Sequence, residues 1–343
     1  MTQTMLAGRM NFATQRFAVM EVPVPTPGPG EVRVRVRAAG VCLSDVHLID
    51  GTLRPLLLKG DEVTLGHEVA GEVETLGAGA GAEAEADGLK VGARVIVNAG
   101  KRVGDVVWTM GVDYDGGWAE YLVAPVELLV PIPDDLPFEQ AAIIPDAVST
   151  PWGAIEWTGK VKAGESVGVW GVGGLGAHGV QLLRFSGAAP IIAVDPLAAA
   201  RERALEFGAD VALDPADPGF AQGMLTVTRG RGLDVALDFA GVPAVRAQAL
   251  ACLGLGGRLV VVGISAERLD IGRDSTFVYT RRQVLGHYGY EERHVSDLVR
   301  LTELGRLDFS ASISATIPLA EAATAVARLE SKEGNPIRLV LIP

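Results

Sequence analysis

Residues 171–176 read Gly171-Val172-Gly173-Gly174-Leu175-Gly176, and this short stretch limits the possible folds more than any other part of the chain. An apolar burst, Ser166 to Trp170, precedes it, and a helix-forming run, Ala177 to Arg184, follows it. Strand, glycine turn and helix in that order form the opening of a nucleotide-binding βαβ unit. The glycines allow a tight turn, let the backbone approach a pyrophosphate, and let helix and strand pack closely, while free N–H groups and the helix dipole face the anion. The next burst runs from Ile191 to a carboxylate, Asp195. A carboxylate there accepts hydrogen bonds from both adenosine ribose hydroxyls and repels a 2′-phosphate, so NAD(H) is preferred over NADP(H), although Arg201 lies close enough in sequence to meet a phosphate.

The same texture continues on both sides of this loop. Bursts at Val211–Leu213, Val235–Phe239 and Leu259–Val262 join the first two to give five expected strands alternating with Ala-rich helical stretches, an α/β doubly wound parallel sheet over residues 149–287. The first third differs. Val32, Val34 and Val36 alternate with Arg33, Arg35 and Arg37, which predicts a strand with one apolar face and one solvated face. Pro23, Pro25, Pro27 and Pro29 make an extended lead into it. Residues 77–92 are small, acidic and low in complexity, and read as an exposed loop. Helices near His294–Glu303 and Leu319–Glu330 and a last strand, Ile337–Ile342, return to the first domain. The expected division is therefore 1–148 with 288–343, mostly β, and 149–287, the dinucleotide-binding domain.

Composition removes several classes of function. The 343 residues carry 30 Lys+Arg against 42 Asp+Glu, a formal charge of -12, so nucleic acid and anionic membranes are poor partners. Two cysteines, Cys42 and Cys252, cannot build a disulfide framework, and no charged-then-apolar leader opens the chain; both favour a cytoplasmic protein. The apolar runs are strand-sized and fall short of the ~20 residues needed to span a bilayer.

A second constellation lies in the first domain. Cys42, Ser44, Asp45 and His47 crowd into six positions, and Gly66-His67-Glu68 follows with its histidine 25 residues after the cysteine. Thiolate, imidazole and carboxylate are the ligand types that zinc takes. Beside a dinucleotide loop, they point to a metal-assisted oxidoreductase.

With these residues in view, the chain resembles the zinc-dependent alcohol dehydrogenases of the medium-chain dehydrogenase/reductase superfamily over essentially its whole length. The resemblance rests on GVCLSDVH at 40–47, Gly66-His67-Glu68, Asp146 through Pro151, the glycine loop, Leu237 to Gly241, Val262-Gly263-Ile264, and Ile337-Arg338. It implies a GroES-like catalytic domain joined to a Rossmann domain. It further implies zinc ligands Cys42, His67 and Asp146, with Glu68 as a fourth ligand or an outer partner. Ser44 and His47 match the proton relay, and Asp45 the carboxylate that orients the ligand histidine. Thr150 and Leu175 match positions that line the nicotinamide, the backbone at Val262 and Ile264 its carboxamide contact, and Arg338 a pyrophosphate contact.

Two departures bear on metal content. Many members have cysteine where this chain has Asp146, and a carboxylate still suits zinc. Members with a structural zinc hold it through four cysteines in a lobe that here, from Ala99 to Asp115, is short and has none. One catalytic zinc and no structural zinc are expected, in a homo-oligomer, dimer or tetramer. The expected reaction interconverts small alcohols with aldehydes or ketones. Trp108, Trp118 and Trp152 are candidates for an aromatic substrate wall, and Asn98 and Ala99 leave room for a substituent. Three alternatives stand beside this reading: a metal-free NADPH-dependent quinone or enone reductase of the same fold, a polyol dehydrogenase, and a non-catalytic dinucleotide-binding protein. Retention of the Cys42, His67, Glu68 and Asp146 set opposes the first, and intact Ser44 and His47 oppose the last.

Overall fold

A computed structural model describes residues 3–81, 88–104, 106–265 and 267–343. They divide into two compact units, Met1–Ala147 with Glu291–Pro343, and Val148–Tyr290. Among the described residues no helix is long and apolar enough to cross a membrane.

The first unit is built on strands. β1 (Thr4–Asn11), β2 (Arg16–Pro23) and β4 (Glu62–Thr64) form a small sheet in the order β2-β1-β4. The larger sheet runs β10 (Leu129–Pro131), β6 (Arg94–Val97), β5 (Val69–Leu76), β3 (Glu31–Val41), β18 (Arg338–Ile342), β17 (Ile313–Pro318), and β9 (Tyr121–Pro125) also pairs with β3. The period-two pattern of β3 does what it predicts: Val32, Val34 and Val36 enter the core. The register then slips between Val36 and Ala38, and from there the odd-numbered Ala39 and Val41 face inward. A slip of one residue exchanges the two faces of a strand. Its consequence is that Gly40, and Cys42 just past the strand end, leave the core face.

The same phase holds in the neighbours. Val69 in β5, Val97 in β6 and Leu339 in β18 are core residues, so Glu68, Asn98 and Arg338, each one position away, belong to the opposite face. The pairings Leu339↔Val41, Ala39↔Val69 and Val69↔Val97 put these positions side by side. Arg338, Cys42 with Gly40, Glu68 and Asn98 thus make one row across four strands. The helix Phe138–Ile143 packs on β3 and β5, and the π-helical turn Ile144–Val148 that follows it carries Asp146.

The second unit is a six-stranded parallel sheet in the order β13 (Val211–Leu213), β12 (Ile191–Val194), β11 (Val167–Trp170), β14 (Leu233–Asp238), β15 (Leu253–Val261), β16 (Gln283–Gly286). The order reverses at β11, where open α/β sheets bind ligands beyond the strand ends. Five strands are expected from sequence and six are present. β16 is a half-exposed edge strand that follows the polar pair Arg281-Arg282, so it lacks an apolar burst.

Three expectations need correction. Trp118 does not line a substrate wall: it is fully buried, its Nε1 donates to the Gly40 carbonyl at 3.0 Å, and it meets Phe17 edge to face. The stretch 77–92 is not simply exposed, because Ala80 and Leu89 are buried in the core; residues 82–87 lie outside the described residues. The arginine row of β3 is paired as well as solvated, with Arg33 Nε 2.7 Å from Glu74 and both Arg33 and Arg35 over the Tyr121 ring. Where relatives with structural zinc have a cysteine lobe, this chain has the hairpin β7 (Gly100–Val103) and β8 (Val106–Thr109).

Candidate metal centre and cofactor loop

Cys42 Sγ, His67 Nε2, Asp146 Oδ2 and a Glu68 carboxylate oxygen converge from four separate segments, all within 4.8 Å of one another. Sγ of Cys42 lies 3.4 Å from Asp146 Oδ2, and Nε2 of His67 lies 3.5 Å from the same oxygen. Tetrahedral zinc with ordinary bond lengths would hold sulfur and oxygen about 3.5 Å apart, and nitrogen and oxygen about 3.3 Å apart. These two separations match edges of a zinc tetrahedron. On its other side the His67 ring presents Nδ1 to Asp45 Oδ1 at 3.6 Å. Asp45 Oδ2 also accepts the Cys42 N–H at 3.0 Å, so one buried carboxylate steadies two of the donors.

The charges tell the same story. Burial would lower the His67 pKa, but Asp45 and Asp146 raise it well above its usual value. Glu68 is pushed up to about 8 by burial, and both of its oxygens lack a hydrogen bond. Arg338 stands beside it, with Nη2 3.1 Å from Glu68 Oε1 and 3.8 Å from Asp146 Oδ2. Buried acids outnumber the cations beside them, a setting that fits a bound divalent ion.

Ser44 and His47 sit on the helix Leu43–Asp50 that starts at Cys42. Ser44 Oγ is 3.6 Å from Cys42 Sγ, and His47, half-buried, lies three residues on, along the same helix face. Arg338, which the resemblance gives to a pyrophosphate, has its guanidinium in the metal row. Its place there was legible in principle, as an arginine out of phase with Leu339 and Leu341 in an apolar strand. Trp108 is half-buried under the Lys59 ammonium, 5.4 Å from the ring centre, and Trp152 packs 6.1 Å from Phe185.

The glycine loop joins β11 to the helix Gly176–Ser186, with Leu175 at the helix N-cap. Gly171 has φ +82, and a Cβ on Gly176 would overlap the Gly171 carbonyl, so both are held by backbone contact. A Cβ on Gly173 would meet nothing within 4 Å. The loop is thus closed against the protein at its ends and open at its middle, as a phosphate cradle must be. Asp195, just past β12, accepts the Val172 N–H at 2.8 Å and the Leu197 N–H at 2.9 Å. Arg201 is engaged: it donates to the carbonyls of Asp195 and Pro196 and lies 3.1 Å from Asp214 Oδ2.

Thr150 is buried, and its carbonyl lies 3.0 Å from His287 Nε2, while His287 Nδ1 lies 2.8 Å from Thr158 Oγ1. Val262 is buried, Ile264 is exposed, and the N–H groups of Val262 and Gly263 both donate to the Asp238 carbonyl. The sequence reading missed what stands behind this turn. Asp238 and Arg246 form a buried ion pair at 2.9 Å, and Arg246 Nη2 donates to the Gly263 carbonyl at 2.6 Å.

Comparison with known proteins agrees with this architecture. Residues 28–134 match the alcohol dehydrogenase GroES-like domain, and residues 174–303 match the zinc-binding dehydrogenase family. An NDMA-dependent alcohol dehydrogenase from Amycolatopsis methanolica is 30% identical over 89% of this chain and 90% of its own length. The chain belongs to the zinc-type medium-chain alcohol dehydrogenase family. Among solved structures, 2R,3R-butanediol dehydrogenase from Bacillus subtilis superposes with a TM-score of 0.88 at 26% identity, covering 99% of both chains. A zinc-binding dehydrogenase from Sinorhizobium meliloti 1021, bound to NADP, superposes with a TM-score of 0.87 at 26% identity over 99% of this chain and 100% of its own. The family makes this chain an oxidoreductase of the alcohol or polyol dehydrogenase type.

Proposed function

We propose that this chain is a zinc-dependent dehydrogenase that interconverts small alcohols with aldehydes or ketones, using NAD(H) in preference to NADP(H). The spacing of Cys42 Sγ, His67 Nε2 and Asp146 Oδ2, 3.4 and 3.5 Å along two tetrahedron edges, carries the reading. When bound there, zinc supplies Lewis acidity that makes a substrate hydroxyl easier to deprotonate, and a nicotinamide accepts the hydride.

The protein residues do the rest. Asp45 fixes the His67 ring so that Nε2 faces the metal position. Ser44 Oγ, beside Cys42, takes the hydroxyl proton and passes it toward the His47 imidazole and solvent. Gly171 to Gly176 hold the pyrophosphate by backbone N–H groups, Thr150 and Leu175 line the nicotinamide, and Val262 and Ile264 meet its carboxamide. Asp195 supports the preference for NAD(H), and the engagement of Arg201 by Asp214 and two carbonyls leaves that arginine poorly disposed to receive a 2′-phosphate. Glu68 and Arg338 are taken as a buried pair behind the metal ligands. The same reading expects a homo-oligomer, dimer or tetramer, working on small molecules in the cytoplasm.

Zinc per subunit, measured by elemental analysis of protein purified without chelator, tests the proposal alongside turnover of alcohols with NAD+ and NADP+. About one zinc, with faster turnover on NAD+, is expected. Activity that survives complete removal of zinc would transfer the chain to the metal-free reductases.

A further inference from the structure

His287 stands directly after the edge strand β16, and its backbone N–H donates to the Val261 carbonyl at 2.9 Å. Val261 ends β15, and Val262 opens the turn read above as the carboxamide contact. From that anchorage the half-buried imidazole reaches a different segment: Nε2 lies 3.0 Å from the Thr150 carbonyl, and Nδ1 lies 2.8 Å from Thr158 Oγ1. A carbonyl oxygen only accepts, so Nε2 carries a proton, and with the ring neutral the Thr158 hydroxyl donates to Nδ1. One ring thereby holds both ends of the helical stretch that begins as Ser149–Gly153 and continues as the π-helical turn Ala154–Thr158.

The Thr150 carbonyl does not need this bond. It already accepts the Ala154 N–H within the helix, so the imidazole adds position to it rather than relief from burial. Room is left for the ring as well, since a Cβ on Gly153 would stand 2.9 Å from His287 Cε1. Turns of π-helix are rare and gather at functional sites, and here such a turn is closed from outside by the same ring that meets Thr150.

We propose that His287 is a positioning residue for the nicotinamide: bonded to Val261 on one side and Thr150 on the other, it holds the ring wall and the carboxamide turn at one fixed separation. The inference rests on the cofactor reading above, in which Thr150 lines the nicotinamide and Val262 and Ile264 meet its carboxamide. Hydride transfer depends on where that ring lies, and a misplacement of about 1 Å lowers the rate steeply. The adenosine and pyrophosphate end is assigned to other residues, Asp195 and the glycine loop, so the effect of His287 belongs to the nicotinamide end.

The test compares NADH with ADP-ribose, which lacks the nicotinamide, by calorimetric titration of wild type, His287→Leu, His287→Gln and Gly153→Ala; if NADPH binds tighter, it is titrated against 2′-phospho-ADP-ribose in the same way. His287→Leu is expected to weaken NADH by about fivefold or more while ADP-ribose stays within about twofold. Glutamine brings an amide N–H close to the Nε2 position and should recover most of the loss. Gly153→Ala favours the helix but pushes the ring aside, so it should show the same contrast in a protein that melts no lower than wild type. Equal weakening of both ligands, or NADH affinity unchanged in both His287→Leu and Gly153→Ala, overturns the role of His287. If His287→Leu does not fold, Gly153→Ala decides alone. Wild type that binds NADH and shows the contrast but oxidises no alcohol overturns the alcohol dehydrogenase reading and leaves this role standing. Wild type that binds neither NADH nor NADPH removes the cofactor reading and the inference with it.

Discussion

Asp238 ends β14, and the second unit hangs an unusual number of bonds on it. Oδ1 accepts the N–H groups of Ala240 and Gly241 at 2.9 and 3.0 Å, and Oδ2 accepts Arg246 Nε at 2.9 Å. Its carbonyl accepts Val262 and Gly263 at 3.0 and 2.8 Å, and Arg246 returns to the Gly263 carbonyl. Both side chains are buried, at 0% and 5% exposure, so water cannot replace a lost partner. Asp238→Ala leaves a guanidinium without its counter-charge and two N–H groups without an acceptor. Breaking a buried pair from one side costs about 3–5 kcal/mol, and the orphaned donors push the value toward the upper end. Arg246→Met should cost less, because the carboxylate keeps its two N–H donors. The double variant removes both charges and should cost less than the sum of the singles by about 1.5 kcal/mol or more. A two-unit chain need not unfold in one step, so the fitting assay is a urea titration read by hydrogen exchange in peptides that cover 234–264. NADH affinity should fall with Asp238→Ala, since the 262–264 turn loses its anchor. A loss below about 1 kcal/mol for Asp238→Ala, or strict additivity in the double variant, would refute the reasoning.

Two further outcomes are expected. A Cβ on Gly40 would overlap Glu68 Oε2. Gly40→Ala should therefore displace Glu68, cost about 1–3 kcal/mol by overpacking, and drop zinc well below one per subunit; full occupancy in a folded variant would show that Glu68 is not confined by the strand beside it. Glu165 is the other case. Burial would raise its pKa, but the Arg258 fork, with Nη2 at 2.6 Å from Oε2, holds it below the usual 4.5. A depressed folded-state pKa contributes stability that is present above the unfolded value and lost as pH falls through the folded one. The gap in urea midpoint between wild type and Glu165→Gln should accordingly be open at about pH 7 and close toward about pH 3; a constant gap over that range would mean that Arg258 and Glu165 do not exchange charge with the proton.

The parts of this molecule that were legible in sequence are those where one short segment contains its own reason. The glycine loop states its turn and its helix in six residues, and the valines of β3 state their face. What stayed hidden depends on two segments at once. The register slip after Val36 leaves no mark in the spelling Val36-Arg37-Ala38-Ala39, yet it decides that Cys42 turns to the face opposite Val41 while staying buried. β15 begins at Leu253, six residues before the burst Leu259–Val262, because Gly254, Gly256 and Gly257 break the apolar pattern while the backbone still pairs. The Asp238–Arg246 pair was invisible for a third reason: eight residues and a helix start separate the partners, and nothing in either neighbourhood singles out the other.

On the proposed zinc reading, the row across β18, β3, β5 and β6 accounts for a carboxylate as third ligand. A thiolate at position 146 would meet the Arg338 guanidinium with a weak acceptor, whereas Asp146 Oδ2 lies 3.8 Å from Nη2 as well as 3.4 Å from Cys42 Sγ and 3.5 Å from His67 Nε2. Arg338 is thereby shared between Glu68 and Asp146, and its own pKa is raised by them despite burial. One guanidinium stands beside the buried Glu68 and the Asp146 carboxylate, and Asp45 lies behind His67. Burial pushes the Glu68 carboxyl up to about 8, and against its own burial Asp45 and Asp146 raise His67 well above its usual value. A divalent ion among the same donors would offset the carboxylate charge gathered there. On that reading the acid at 146 and the arginine at 338 are parts of one solution: the carboxylate would complete the donor set, and the guanidinium would offset the repulsion between two carboxylates beside it.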